Sequence, residues 1–453
     1  MRCVATLSAE WREPARVLSA FADEPWAIGF LSGGEPRQAR WSFLARRPAR
    51  TLIVADEDPP DPFDALAALI GAPAPTLADG PPFQGGVAGL AAYDLAEQVE
   101  PIGLARLSGW PQLACAYYPA VLAFDHPGQR VVAVGRGADT DAAQVAAAAA
   151  LDWLDEPSPP LAGGALADAP TASSAKVYEA AVAEVVAKIA KGEIFQANIA
   201  RSWTGRLAPS ARPFDLAERL AGSSPAPFAA YLRLEDLALV SNSPERFVQL
   251  RRCEGGLAAL TQPIKGTRPR GATPAEDAAM AQVLAGSAKD RAENLMIVDL
   301  MRNDLARVCQ PGAVETPELF RVESFANVHH LVSTVTGRLA PGRGAVELLR
   351  AAFPPGSITG APKVQAMKVI SGMEPARGPF FGAMFWAGAD GAFDSNVLIR
   401  TIAFAGTTDG WRFEARAGAG IVADSDPLGE RLETEAKIAA VLAALASPGA
   451  RTL

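Results

Sequence analysis

The chain of 453 residues is short of the side chains that bind soft metals. It holds three histidines, His126, His329 and His330, and four cysteines, at 3, 115, 253 and 309. No C-x-x-C pair occurs, so neither a zinc knuckle nor a disulfide framework is expected. A catalytic metal is therefore expected on carboxylates, which favours Mg²⁺ over Zn²⁺. No run of 18 or more apolar residues appears, so no membrane-spanning helix is expected. The N-terminus has no apolar segment after its first arginine, so no secretion signal is expected and the chain reads as cytoplasmic. Positive charge is scarce too: 42 Lys+Arg stand against 50 Asp+Glu, a net charge of −8. With no basic block, nucleic acid and anionic membranes are not expected as main partners. An anionic small molecule stays compatible, because a few local cations can hold it.

What is present is ample apolar material, 49% of the residues, and a length that suits about three domains or one large two-lobed unit. A stretch rich in Pro, Gly, Ser and Ala (156–174) is the best linker. It separates an N-terminal region, 1–160, from a second domain over 175–445. Apolar residues Val182, Val185, Val186 and Ile189 at helical spacing predict a helix over 177–191. Further helices are expected near 287–307, 362–371 and from Pro427 onward, the last with Asp426 as N-cap. Strands are expected near 195–203, 237–241, 328–336, 382–387, 397–404 and 411–417. The elements do not alternate as βαβ units, which predicts an α+β fold of antiparallel sheets with helices outside.

Several patterns could carry chemistry, and each has a plain structural reading as well. Asp290 and Glu293 lie three apart on one predicted helix, and Glu430 and Glu433 on another, with Lys437 four beyond. Each set projects from one helix face. Two such faces turned together would offer four carboxylates to one Mg²⁺. Taken alone they are also what a solvated helix shows. Gly418-Ala419-Gly420 reads as a turn whose bare backbone could approach an anion, or simply as a turn. Lys265 lies between Pro263-Ile264 and Gly266-Thr267. It is either a loop lysine in solvent or, if buried, an amine made nucleophilic by a lowered pKa. Glu245 ends the 237–241 strand and could keep its proton in a closed cleft. Of His329 and His330 only one can face a cleft, because they adjoin on a strand. Arg400 is a lone cation in an apolar strand, which also suits a structural ion pair.

Taken in order, GEIFQANIA, SNSPERF, PIKGTRPRG, KDRAENLMIVDLMRNDLARVC, VHHLVSTVTGRL, FPPGSITGAPK, DSNVLIRT and AGAGIVADSDPLGERLETEAK resemble one family, the chorismate-utilising enzymes. They span about 190–440, and FQGGVAGLAAYD (83–94) carries the likeness into the N-terminal region. The resemblance implies the two-lobed fold of anthranilate synthases, with antiparallel sheets packed face to face. It implies Glu293 and Glu433 as Mg²⁺ ligands, with Asp290 and Glu430 behind them through water. Glu245 becomes the acid for the departing C4 hydroxyl. Arg400, the Gly418-Ala419-Gly420 segment and Lys437 become carboxylate binders. Gly266, Thr267, His330 and Thr359 become cleft residues near the ring.

Two positions sort the branches of this family. Members that add water carry Lys where this chain has Gln196, and ammonia-using members resemble the Gln form. Among the latter, anthranilate synthases have Ala in the Pro-Ile-x-Gly-Thr motif, whereas aminodeoxychorismate synthases have Lys, as at Lys265. The resemblance thus implies covalent attack by Lys265 and amination of chorismate at C4, with anthranilate formation as the alternative. No cysteine has the Gly-flanked setting of a glutaminase nucleophile. Ammonia is therefore expected from a separate glutamine amidotransferase subunit, and a lyase is expected to consume the product on the way to 4-aminobenzoate and folate. Two departures stand out. Phe381 replaces a frequent Tyr, and Leu31-Ser32-Gly33-Gly34 differs from the element linked to tryptophan binding.

Overall fold

The structure is a computed structural model, and it describes residues 3–34, 39–55, 61–161, 165–325 and 328–446. Part of the 156–174 segment thus lies outside the described residues. Among these residues the strands form two sheets, of twelve and ten strands, and every pairing is antiparallel. The α+β architecture expected from the sequence is present. No helix is long and apolar enough to cross a membrane.

Both sheets draw strands from before and after the 156–174 segment. In the larger sheet, Ile28–Leu31 pairs with Phe228–Arg233, with Phe30 opposite Ala230. In the smaller, Gly86–Ala91 pairs with Ala383–Gly388, with Gly89 opposite Phe385. The largest apolar cluster joins Ile28, Phe43 and Leu239 of one sheet to Leu90, Leu250 and Phe385 of the other, so the sheets pack face to face. A second cluster lies on the outer face of the larger sheet, where Leu18, Phe214 and Val441 bring in three helices.

Two helices matter for function, and both start on side-chain caps. Ser287 accepts from the Asp290 N–H at 3.2 Å and opens Ala288–Ala306. The Asp426 carboxylate accepts from the Gly429 N–H at 2.8 Å and opens Pro427–Ala446. Each cap fixes the first helical residue and hence the face that later residues present. Asn294, Ile297, Val298, Met301 and Leu305 bury one side of the first helix. Thr434, Ile438, Val441 and Leu445 bury one side of the second.

Two elements depart from expectation. The strand foreseen over 397–404 breaks into Phe393–Asn396 and Thr401–Thr407. Between them Arg400 takes φ +51°, which no strand accommodates, so Arg400 is not a strand residue. The strand foreseen over 411–417 instead runs on as Gly410–Ile421, which makes Gly418-Ala419-Gly420 ladder residues rather than a turn.

Candidate active site

The Gly410–Ile421 strand lies against Gln196–Arg206, with Asn198 opposite Gly420 and Ile199 opposite Ala419. Side chains alternate across such a pair. Ala197, Ile199, Ala419 and Ile421 turn into an apolar cluster with Tyr178, Val182 and Ile370. Burying each isoleucine there contributes about 2 kcal/mol and fixes the register. Gln196, Asn198, Gly418 and Gly420 are thereby left on the other face. That face closes a cavity of about 710 Å³, lined among others by Glu245, Lys265, Glu293, Arg400, Glu433 and Lys437. The size is in the range of small-molecule sites. Smaller cavities of about 200 and 370 Å³ near the N-terminal strands hold none of the candidate residues.

Lys265 belongs to the strand Ile264–Pro269, not to a loop. Its ladder with Val328–Leu339 pairs Ile264 with Val332 and Thr267 with His330, and the register shifts in between. The shift bulges residues 265 and 266, and a bulge re-aims side chains. Gly266 takes φ +83°, and a Cβ there would meet Asp290 at 2.9 Å. So re-aimed, Lys265 reaches the bare glycine face: its Nζ lies 2.9 Å from where a Cβ on Gly420 would be, and Gln196 Nε2 lies 3.2 Å from that point. Burial lowers the Lys265 pKa, and the Lys437 cation lowers it further against Glu293, Glu245 and Glu433. The amine is thus tuned toward its neutral, nucleophilic form. Gly420→Ala should therefore displace the amine without straining the backbone, since Gly420 is not among the positive-φ glycines. A fall in kcat of at least about tenfold, with an unchanged circular dichroism spectrum, is the expected result.

Glu245 follows the strand Leu237–Ser243 and is 6% exposed. Its backbone is pinned, the N–H donating to Ser243 Oγ at 3.2 Å and the carbonyl accepting from Val397 N–H at 3.0 Å. Burial pushes its carboxyl up to about 7, only partly offset by the Ser357 hydroxyl and the charges of Lys265 and Lys437. A proton can stay on it at neutral pH.

His330 faces the cavity, with Nδ1 2.9 Å from Thr267 Oγ1. Burial, with Arg400 adding to it, pushes it down to about 4, so the ring is neutral. His329 points to the other face and contacts Ser324 and Asp277. The Arg400 guanidinium has no carboxylate partner among the described residues, and burial lowers its pKa. A left-handed backbone, a desolvated cation and a cavity wall together describe an anion site waiting for its charge.

The two acidic helix faces do meet at this cavity. Asp290 is held by Arg268 at 2.9 Å, Glu293 lies 3.9 Å from Lys289, Ser425 Oγ donates to Glu430 at 2.6 Å, and Glu433 is 2.6 Å from Lys437. Burial raises the Glu293 and Glu430 pKa values, and Glu433 adds to both by repulsion. Burial pushes Glu433 upward as well, but Lys437 holds it below the usual range. Among the described residues no three His, Cys, Asp or Glu side chains form a ready cation cage. Lys437 also donates to the Gly418 carbonyl at 2.9 Å.

Two expected cleft residues do not line the cavity. Ala419 faces the apolar cluster, as the alternation requires. Thr359 is fully buried behind the wall; its hydroxyl donates to Pro355 O at 2.8 Å and lies 3.2 Å from Tyr93 Oη. Phe381 lines the cavity with its ring 4.5 Å from the Arg377 guanidinium and offers no hydroxyl. Sequence reasoning passed over Asn198, Lys289, Ser357 and Arg416, which also line it. Asn198 was within reach, since it shares a strand face with Gln196.

An oxygen-rich, cation-flanked cavity between two stacked antiparallel sheets, with a buried acid and a desolvated amine, defines a class of enzyme acting on a small anionic substrate. The profile of chorismate binding enzymes matches residues 29–443, and the chain belongs to that family. It is 38% identical to aminodeoxychorismate synthase component 1 of Klebsiella aerogenes, over 98% of this chain and 99% of that one. It is also 38% identical to anthranilate synthase component 1 of Streptomyces coelicolor, over 94% and 86%. The crystal structure of anthranilate synthase component I from Streptococcus pneumoniae TIGR4 superposes with a TM-score of 0.78 at 28% identity, covering 89% of this chain and 92% of that one.

Proposed function

We propose that this chain aminates chorismate at C4, as an aminodeoxychorismate synthase component 1, giving 4-amino-4-deoxychorismate. The observation that carries the reading is the Lys265 amine on the bare Gly420 face, in one cavity with the buried Glu245 carboxyl. An amine there would occupy the approach that direct attack by ammonia at C2 would need. Gln196 in place of a lysine leaves no base to activate water, which supports ammonia as the nucleophile.

Chorismate is a dianion. Arg400 and Lys437 supply positive charge to its carboxylates in an otherwise acidic protein. The Lys265 amine attacks C2, both ring double bonds shift by one position, and the C4–O bond breaks as Glu245 gives its proton to the departing hydroxyl, releasing water. Ammonia then attacks C4, both double bonds shift back, and Lys265 leaves C2 as a neutral amine. The surplus proton on the new C4 nitrogen returns to Glu245. Chorismate plus ammonia thus become product plus water, and the enzyme is restored. One hard displacement is divided into two easier ones.

The donor set suits a hard cation. Glu293 and Glu433 would hold Mg²⁺, with Asp290 and Glu430 behind them, all four lining the one cavity. When bound, the ion neutralises and anchors the ring carboxylate. The name component 1 borne by the relatives supports a second subunit, and we assign it as a glutamine amidotransferase delivering ammonia in the cytoplasm. A lyase would consume the product.

The test supplies the purified chain with chorismate, Mg²⁺ and ammonium at high pH, then adds aminodeoxychorismate lyase. 4-Aminobenzoate appearing only after the lyase supports the reading. Fluorescent anthranilate formed without it would overturn the reading in favour of anthranilate synthase, which the Streptomyces and Streptococcus relatives keep in view.

A further inference from the structure

The strand face that carries Lys265's hollow also carries an amide with nothing to do. Asn198 is 5% exposed, and its Oδ1 has no hydrogen-bond partner. A buried acceptor left unpaired costs about 1–3 kcal/mol, so one on a cavity wall asks for a reason, and a ligand is the reason a cavity supplies. Its backbone, by contrast, is tightly held. The Asn198 N–H donates to Thr359 O at 2.9 Å, and its carbonyl accepts from Arg377 Nη2 at 2.7 Å. Arg377 in turn is clamped by Glu374, whose Oε1 accepts from the Ala200 N–H at 2.9 Å. The amide is therefore presented to the cavity on a rigid strand.

A Cβ on Gly418 would sit 2.4 Å from Oδ1, so the amide oxygen packs over the strand only because residue 418 has no side chain. Gly418 and Gly420 are two residues apart on one face, so Asn198 Oδ1 lies about 7 Å along the strand from Lys265 Nζ.

We infer that Asn198 is the docking point of ammonia, its Oδ1 accepting one N–H of the nucleophile and so leaving the nitrogen lone pair free toward C4. The inference rests on the C4-amination reading and adds to it a residue that acts only in the second half of the reaction. Ammonia adds to C4 as Lys265 leaves C2 with the bonding pair, and the surplus proton goes to Glu245. Asn198 itself neither gains nor loses a proton. Gln196, whose two amide atoms are likewise unpartnered and fully buried, lies at the Lys265 end of the same face.

The experiment compares the wild-type chain with Asn198→Val and Asn198→Ser in the ammonium-dependent coupled assay. It also follows the Lys265 adduct by intact-protein mass spectrometry without ammonia. Asn198→Val is expected to raise the KM for ammonia at least tenfold, to leave the KM for chorismate within twofold, and to form the adduct at the wild-type rate. Asn198→Ser, which keeps a small acceptor, is expected to lie between the two. The split separates docking of ammonia from mere support of the fold, which would slow both halves. An unchanged ammonia KM, or an equal rise in the chorismate KM, overturns the assignment. If Asn198→Val does not fold, the Asn198→Ser values decide by the same criteria. Anthranilate from the wild-type chain would remove the C4 reading itself, whereas wild-type 4-aminobenzoate with an indifferent Asn198→Val would remove only the role of Asn198.

Discussion

Lys265→Ala is expected to lower the formation of 4-amino-4-deoxychorismate by at least about 10³-fold, because in the proposed mechanism it removes the nucleophile rather than a contact. The assay is 4-aminobenzoate after added lyase. Intact-protein mass spectrometry of the variant with chorismate and Mg²⁺ should show no adduct. The variant opens a hollow beside Gly420 and Gln196, where the amine stood. Ammonia then gains access to C2, and a small yield of anthranilate is expected in place of the usual product. Lys265→Arg should not rescue, since a guanidinium stays protonated and does not attack carbon. Binding should survive in both variants, because Arg400 and Lys437 are untouched. Chorismate should still raise the melting temperature of Lys265→Ala, as any ligand of the native state does. Unchanged product and rate in the variant would take Lys265 out of the chemistry.

The acidic helix faces were legible because a helix converts spacing into direction: residues three apart share a face whatever surrounds them. What the spacing could not say was that the two faces meet. That follows from two separate helices reaching one cavity, a tertiary fact. The start of the second helix was readable for the same local reason, through Asp426 as cap, whereas the Ser287 cap of the first is seen only in the structure.

The failures share a cause. Gly418-Ala419-Gly420 reads as a turn because glycine carries no strand preference, yet its ladder is imposed by the partner strand at Asn198, Ile199 and Ala200. Once in a ladder, alternation sends the Ala419 side chain into the apolar cluster and empties the other face. Lys265 read as a loop residue for the same reason, its strand being held by Val328–Leu339. Arg400 read as part of one long strand because Val397, Leu398 and Ile399 are apolar. The Val397 N–H instead bonds Glu245 O, and the left-handed turn at 400 follows. In each case the local pattern was overridden exactly where the cavity is built, as expected where function bends a fold away from its local preferences.

The carboxyl of Glu245 ties activity and stability to pH in the same sense. In the proposed mechanism it gives its proton to the C4 hydroxyl and must be protonated, and its pKa stands raised to about 7. Adduct formation by the wild-type chain should therefore fall as pH rises through about 7. A limb of the opposite sign arises from Lys265, which must lose its proton to attack and whose pKa is lowered. Glu245→Gln should slow adduct formation by about 10²–10⁴-fold and remove the limb near 7. Stability has its own sign. A carboxyl whose pKa rises on folding favours the native state fully below its unfolded value of 4.5, and that contribution is lost as pH rises through about 7. The loss amounts to roughly 3 kcal/mol at most. Urea unfolding should accordingly find Glu245→Gln more stable than the wild-type chain at pH 8, with the advantage shrinking toward pH 5. A variant both slower and more stable would mean that the buried carboxyl is kept for its proton and at the expense of the fold. A variant equally active across the pH range would assign the proton to another group.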